Sequence, residues 1–172
     1  MFRKICAVAL ILTACGDPSM GTDGGVDAGV DAGPMALTAS GTATGTYGFT
    51  VKTAFAVSPD GGAPVAVFLY DAVLPCPARF NEAPSVEGQG LLMQQNSGTF
   101  ALGTYAAPNQ LFVLRGHFRP DASFPEPVGA DSLTGTVTVT SVNRGVVGTY
   151  QFTNSDGGTL SGQFSAPTCG AP

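Results

Sequence analysis

Leu133-Thr134-Gly135-Thr136-Val137-Thr138-Val139-Thr140 decides the fold class. Leu133, Gly135, Val137 and Val139 alternate with four threonines, the period of two expected of a strand with one buried face. Asn143-Arg144-Gly145 then turns the chain, and Gly148, Tyr150 and Phe152 share the next inward face. Asn154-Ser155-Asp156-Gly157-Gly158 turns it again, and Leu160, Gly162 and Phe164 complete a three-strand meander.

The same period recurs upstream, and no long stretch keeps a helical period of 3.6. Tyr47, Phe49, Val51, Thr53 and Phe55 fall on one face of a strand, opposite Gly48, Thr50 and Lys52. The run from Ala63 to Tyr70 is apolar on both faces, as a central strand would be. Gly98 to Tyr105 and Gln110 to Phe118 read as two further strands, joined across Ala106-Ala107-Pro108-Asn109. With Ala36 to Thr44 counted, the expectation is an all-β fold of about eight strands. It would be a single antiparallel β-sandwich or small β-barrel with a C-terminal meander. Two Pro-containing stretches, Val73 to Ser97 and Arg119 to Asp131, read as long irregular loops, where binding often sits. Gly-Thr-Tyr occurs at 45–47, 103–105 and 148–150 without a fixed period, so it reads as inward aromatics at strand starts and not as a repeat.

The N-terminus is different in kind. Arg3 and Lys4 precede the apolar run Ile5 to Leu12, and Leu12-Thr13-Ala14-Cys15 closes it. Eight apolar residues are too few for a spanning helix, which needs roughly 18 or more, and they suit a signal-peptide core. Leu-Thr-Ala-Cys resembles the lipobox of bacterial lipoproteins. That resemblance implies a signal peptide over residues 1–14, cleavage before Cys15 and lipid attachment at Cys15, with palmitate among the acyl chains. Two or three chains anchor a protein durably where one does so only marginally. Gly16 follows Cys15 where an inner-membrane retention aspartate would stand, which points to the outer membrane. Residues 15–35 form the lipidated cysteine and an Asp/Gly-rich tether in which Gly25-Val26-Asp27-Ala28 recurs as Gly29-Val30-Asp31-Ala32. Almost without large side chains, it cannot offset its ordering entropy, and a reach of about 25 Å follows. Its aspartates lack the spacing and closing glutamate of an EF-hand loop. Residues 36–172 are the β domain.

Loss of Arg3 and Lys4 leaves five basic against 12 acidic residues, a net charge of −7. Nucleic acid, which asks for a basic face, is excluded as a partner. Cys6 leaves with the signal and Cys15 is lipidated, so Cys76 and Cys169 remain for a disulfide in an oxidising compartment. Closing a loop of about 94 residues would contribute roughly 4–5 kcal/mol in the loop-entropy model. Two cysteines and one histidine do not make a four-ligand zinc site, and no cofactor is expected.

Gly148-Thr149-Tyr150-Gln151-Phe152, followed by Gly157-Gly158-Thr159-Leu160-Ser161-Gly162-Gln163-Phe164-Ser165-Ala166-Pro167-Thr168-Cys169, resembles the closing hairpin of uncharacterised Gram-negative lipoproteins. These join a lipobox and an Asp/Gly-rich tether to a small β domain ending in Gly-x-Phe-x-Ala-x-x-Cys. The resemblance covers the first 35 residues and about the last 40. It implies architecture only, because the group carries no assigned reaction.

The chemistry in the body is sparse. His117, the single histidine, lies in Arg115-Gly116-His117-Phe118-Arg119. On a strand Arg115, His117 and Arg119 share one face. They form either an anion-binding stripe, for a lipopolysaccharide phosphate or an acidic glycan, or the solvated face of a strand whose arginines blunt an edge. Gly158-Thr159-Leu160-Ser161-Gly162 has the wrong spacing and setting for a nucleophile elbow. Glu82, Glu87, Glu126 and Asp131 are loop carboxylates with no imposed pairing. No catalytic residue is singled out. The expectation is a lipid-anchored cell-envelope protein with a non-catalytic binding or structural module. Its partners would be the membrane, through the lipid, and an unidentified protein or glycan. The alternatives are an inhibitor of a foreign hydrolase and a secreted hydrolase.

Overall fold

A computed structural model describes residues 39–59, 61–76, 85–120, 126–127 and 133–169. The signal peptide, Cys15 and the tether lie outside the described residues. The fold is all-β. Its strands are β1 (Ser40–Gly41), β2 (Thr53–Val57), β3 (Ala66–Tyr70), β4 (Gly88–Gln95), β5 (Gly103–Ala107), β6 (Leu111–Phe118), β7 (Glu126–Pro127), β8 (Thr134–Ser141), β9 (Gly145–Thr153) and β10 (Thr159–Cys169). They form one sheet in the order β5-β8-β9-β10-β2-β3-β4-β6-β7, with β1 on β10. The path curls into a nearly closed barrel. β5, at one end, is joined to β6, next to the other end, by the short turn at 108–110, where the Gln110 amide donates to the Ala106 carbonyl at 2.8 Å.

The meander stands as its alternation demands. Val137 pairs with Tyr150 and Val139 with Gly148, while Phe152 pairs with Leu160 and Gly148 with Phe164. The apolar members are at most 4% exposed. Arg144 takes the left-handed conformation (φ 60°) that lets Asn143-Arg144-Gly145 reverse the chain. At the second turn the Asn154 side chain accepts from the Gly158 amide and donates to the Tyr47 hydroxyl, both at 2.7 Å.

β10 joins the two halves of the sheet. Thr159 to Pro167 pair antiparallel with β9. Pro167, opposite Gly145, is the last residue of that register, the Thr168 amide still donates to the Arg144 carbonyl at 3.0 Å, and Thr168 and Cys169 run parallel to Ala56 and Val57 of β2. This parallel contact departs from the all-antiparallel expectation.

Other expectations are corrected. The stretch from Val73 to Ser97 contains β4, an eight-residue strand between β3 and β6. Gly88-Gln89-Gly90 disguised it. A Cβ at Gly90 would sit 2.7 Å from Tyr70 Cδ2 and 2.9 Å from Phe118 Cε2, so the glycine makes room for two outward rings that pack edge to face. The long alternating strand from Tyr47 to Phe55 is not one strand. Only Thr53–Val57 is, and Ala54 and Ala56 face the main core while Phe55 and Val57 face outward. Phe100 is buried ahead of β5, not on a strand, and packs at right angles on Tyr105.

The outward side of β2 and β3 carries a second apolar cluster of Phe55, Val57, Phe68, Leu74 and Cys169. Cys76 and Cys169 are disulfide-bonded with a Cα–Cα distance of 5.5 Å. The bridge pins the segment after β3 over this cluster and ties the end of β10 to it.

Candidate functional site

The inner face of β3, β4 and β6 is laid out in register rows. Val67, Met93 and Val113 make one row, and Leu69, Leu91 and Arg115 the next. The following row pairs Gln89 with His117. Apolar residues therefore give way to polar ones toward one end of the barrel, and Arg115 sits at the boundary.

Arg115 is 8% exposed, which corrects the solvated-face expectation. Leu111, Val113 and Arg115 share the inward face of β6, and β6 is flanked by β4 along its length and by β7 at Gly116 and His117. The guanidinium lies over the Phe49 ring, 5.5 Å from its centroid, and its Nη1 donates to Gln89 Oε1. Its Nε is buried without a hydrogen-bond partner among the described residues. Desolvation by burial lowers the Arg115 pKa, and Asp71 partly opposes this. Asp71 does not pair with the guanidinium. Its carboxylate accepts from the Gln89 backbone amide at 2.8 Å.

His117 and Arg119 are nearer the surface. His117 Nε2 lies 2.6 Å from Glu87 Oε1, and Arg119 Nε lies 3.6 Å from the same oxygen. His117 Nδ1 is 3.1 Å from Gln89 Nε2. The hydrogen bond from His117 holds the Glu87 carboxyl below its usual range, with the charges of His117 and Arg119 adding to the effect. Sequence placed Arg115, His117 and Arg119 on one face, and they do gather at one end of the barrel. It missed Glu87 and Gln89 as their partners, because both lay in the stretch read as a loop. With β4 recognised, their alternation with Leu91 and Met93 would have revealed them.

Beside this cluster the Tyr70 hydroxyl donates to the Val86 carbonyl at 2.9 Å. Burial, followed by Asp71 and Glu87, pushes its pKa up to about 12. At the opposite end of the inner face, Ser58 Oγ and Gln95 Nε2 are buried without partners among the described residues. Buried orphans of this kind commonly hold an ordered water.

The outer face of the meander is unlike either end. In successive register rows it carries Thr134, Thr153 and Thr159, then Thr136, Gln151 and Ser161, then Thr138, Thr149 and Gln163. All nine are uncharged and hydrogen-bonding. A shallow depression of about 500 Å³ lies among Thr136, Thr138, Thr149, Gln151 and Ser161.

The described hydrogen bonds of His117 run to Gln89 and Glu87 and to no hydroxyl or thiol that it could activate. Among the described residues no three His, Cys, Asp or Glu side chains group as a metal site would require. No helix among them is long and apolar enough to cross a membrane. No protein-family model, curated protein or solved structure matches this chain.

Proposed function

We propose that this is a lipid-anchored cell-envelope protein, held through Cys15 in the outer membrane, whose barrel is a non-catalytic binding module. One observation carries the binding reading. A cation stands at an inner position of β6 where the alternation calls for an apolar residue, and polar groups that reach the surface frame it. The anchoring reading rests on Arg3 and Lys4, the apolar run to Leu12, and Leu12-Thr13-Ala14-Cys15. The Cys76–Cys169 bridge fits an oxidising compartment. The neutral, hydroxyl-rich outer face of the meander suits a module that works close to glycans.

Two arms test this on the full-length chain expressed with its own N-terminus in a Gram-negative host. Intact-mass analysis should find acyl chains on the product, and Cys15→Ala should lose both the added mass and membrane fractionation. A photo-crosslinking residue at Glu87 should capture an envelope component, and the same residue at Thr149 should capture far less. An unacylated wild-type product overturns the anchor. Equal capture or no capture at the two positions overturns the barrel end as the binding site.

A further inference from the structure

We infer that Arg115 is the seat of an oxyanion, a phosphate or carboxylate group that docks on the edge formed by its Nε and Nη2. This rests on the binding reading above and names the ligand chemistry at that end of the barrel.

A guanidinium presents its donors in fixed pairs, and the pair at Nε and Nη2 points two parallel N–H bonds in one direction. Arg115 spends Nη1 on Gln89 Oε1, on the other side of the group. Its Nε has no partner among the described residues and is fully buried. The Phe49 ring against the guanidinium holds its plane. The unused edge is therefore oriented and matches the two oxygens of a carboxylate or phosphate.

The neighbouring acids do not fill this role. Both ion pairs among the described residues end on Glu87, from His117 and Arg119. Asp71 Oδ1 accepts from the Gln89 backbone amide, and the carboxylate makes no ion pair with Arg115 among the described residues. A buried cation without a paired anion is unfavourable, and among the described residues Gln89 Oε1, the Phe49 ring and the charge of Asp71 offset only part of the lost hydration, with Nε left unbonded. A neutral ligand would not repair that deficit, and an oxyanion would. Gln89, which touches both Arg115 and His117, is the side chain placed to move aside or to join the bound anion.

The experiment uses the full-length chain in an uncharged detergent, with the Arg115 Nε–Hε group followed by nitrogen–proton NMR. Sodium phosphate and sodium acetate are titrated at constant ionic strength against sodium chloride. The expected result is a saturable shift of the Arg115 Nε–Hε signal with phosphate or acetate, at a Kd of about 1 mM or tighter, and none with chloride. Arg115→Lys keeps the charge but removes the fork, so the remaining amide shifts should lose their saturation. Phosphatidylglycerol vesicles compared with phosphatidylcholine vesicles separate lipid-borne from free phosphate. The inference is overturned if Nε–Hε does not respond, which leaves an ordered water as the partner of Nε. It is also overturned if the shifts centre on Arg119 or persist in Arg115→Lys. Failure here with Glu87 crosslinking intact removes only the oxyanion, whereas failure of both removes the binding site.

Discussion

The meander of β8, β9 and β10 and the sheet of β2, β3, β4 and β6 enclose the same core by different rules. In the meander every strand has one buried apolar face and one exposed polar face. Val137, Val139, Tyr150, Phe152, Leu160 and Phe164 point in, and threonine, serine and glutamine point out. In the other half the outward side is apolar as well, with Phe55 and Phe68 stacked at 5.2 Å under the disulfide-pinned segment. Its inward side is apolar in the middle and polar at both ends, at Gln95 and Ser58 on one side and Arg115, Gln89 and His117 on the other. The first half is built for stability at low cost. The second tolerates buried polar groups, and the only ion pairs among the described residues stand there.

The disulfide should separate the halves most strongly. Replacing Cys76 and Cys169 together with serine releases a loop of about 94 residues and exposes the outward cluster, so unfolding stability should fall by about 4 kcal/mol. Chemical denaturation measures it. A loss under about 1 kcal/mol would mean that the outward cluster holds itself together.

Met93→Ala is the next test, because it asks whether β4 is central. Met93 is fully buried between Val67 and Val113. The expected loss is about 3 kcal/mol. Thr149→Ala, on the outer face of the meander, should change stability by less than about 0.5 kcal/mol. Similar losses at the two positions would erase the contrast.

Gly90→Ala probes the close approach of Tyr70 and Phe118. The added methyl must displace a ring, at a cost of about 1–3 kcal/mol. A thermal melt showing no change would mean that both rings shift freely.

Arg115→Met has the opposite expected sign. Replacing a buried, incompletely bonded cation by an apolar side chain of similar length should leave stability unchanged or raise it by about 1 kcal/mol. Marked destabilisation would show that Arg115 is part of the packing and not kept there for a ligand.

The smallest effect concerns pH. The folded pKa of Glu87 is depressed, mainly by the hydrogen bond from His117. Its contribution to stability is therefore present above the ordinary carboxylate range and is lost as pH falls through the lowered value. His117→Asn should move the Glu87 carboxyl upward in a carbon-detected NMR titration. An unchanged midpoint would assign the depression to Arg119.

Much of the meander was legible because its strands obey a single rule. Alternation names both faces when one side meets a core and the other meets water. The same rule misled at Tyr47 to Phe55, where the chain reaches β2 and the aromatics end up on different sides of the sheet. It failed at β4, whose glycines serve outward rings from neighbouring strands and whose Gln89 and Gln95 share the inward face with Leu91 and Met93. Polar residues and glycines in one short run carry the signature of a loop. Only the packing of β3 and β6 on either side explains them.

The sequence by itself determined the strand period of the C-terminal third, the pairing of Cys76 with Cys169 by elimination, and the shared face of Arg115, His117 and Arg119. Each follows from local chemistry or from counting. Tertiary structure alone decided which side of β6 that face looks toward, that β4 lies at its flank, and that Arg115 is enclosed while Arg119 is not. Burial depends on which strands lie next to each other, and strands far apart in the chain become neighbours only when the sheet closes around its core.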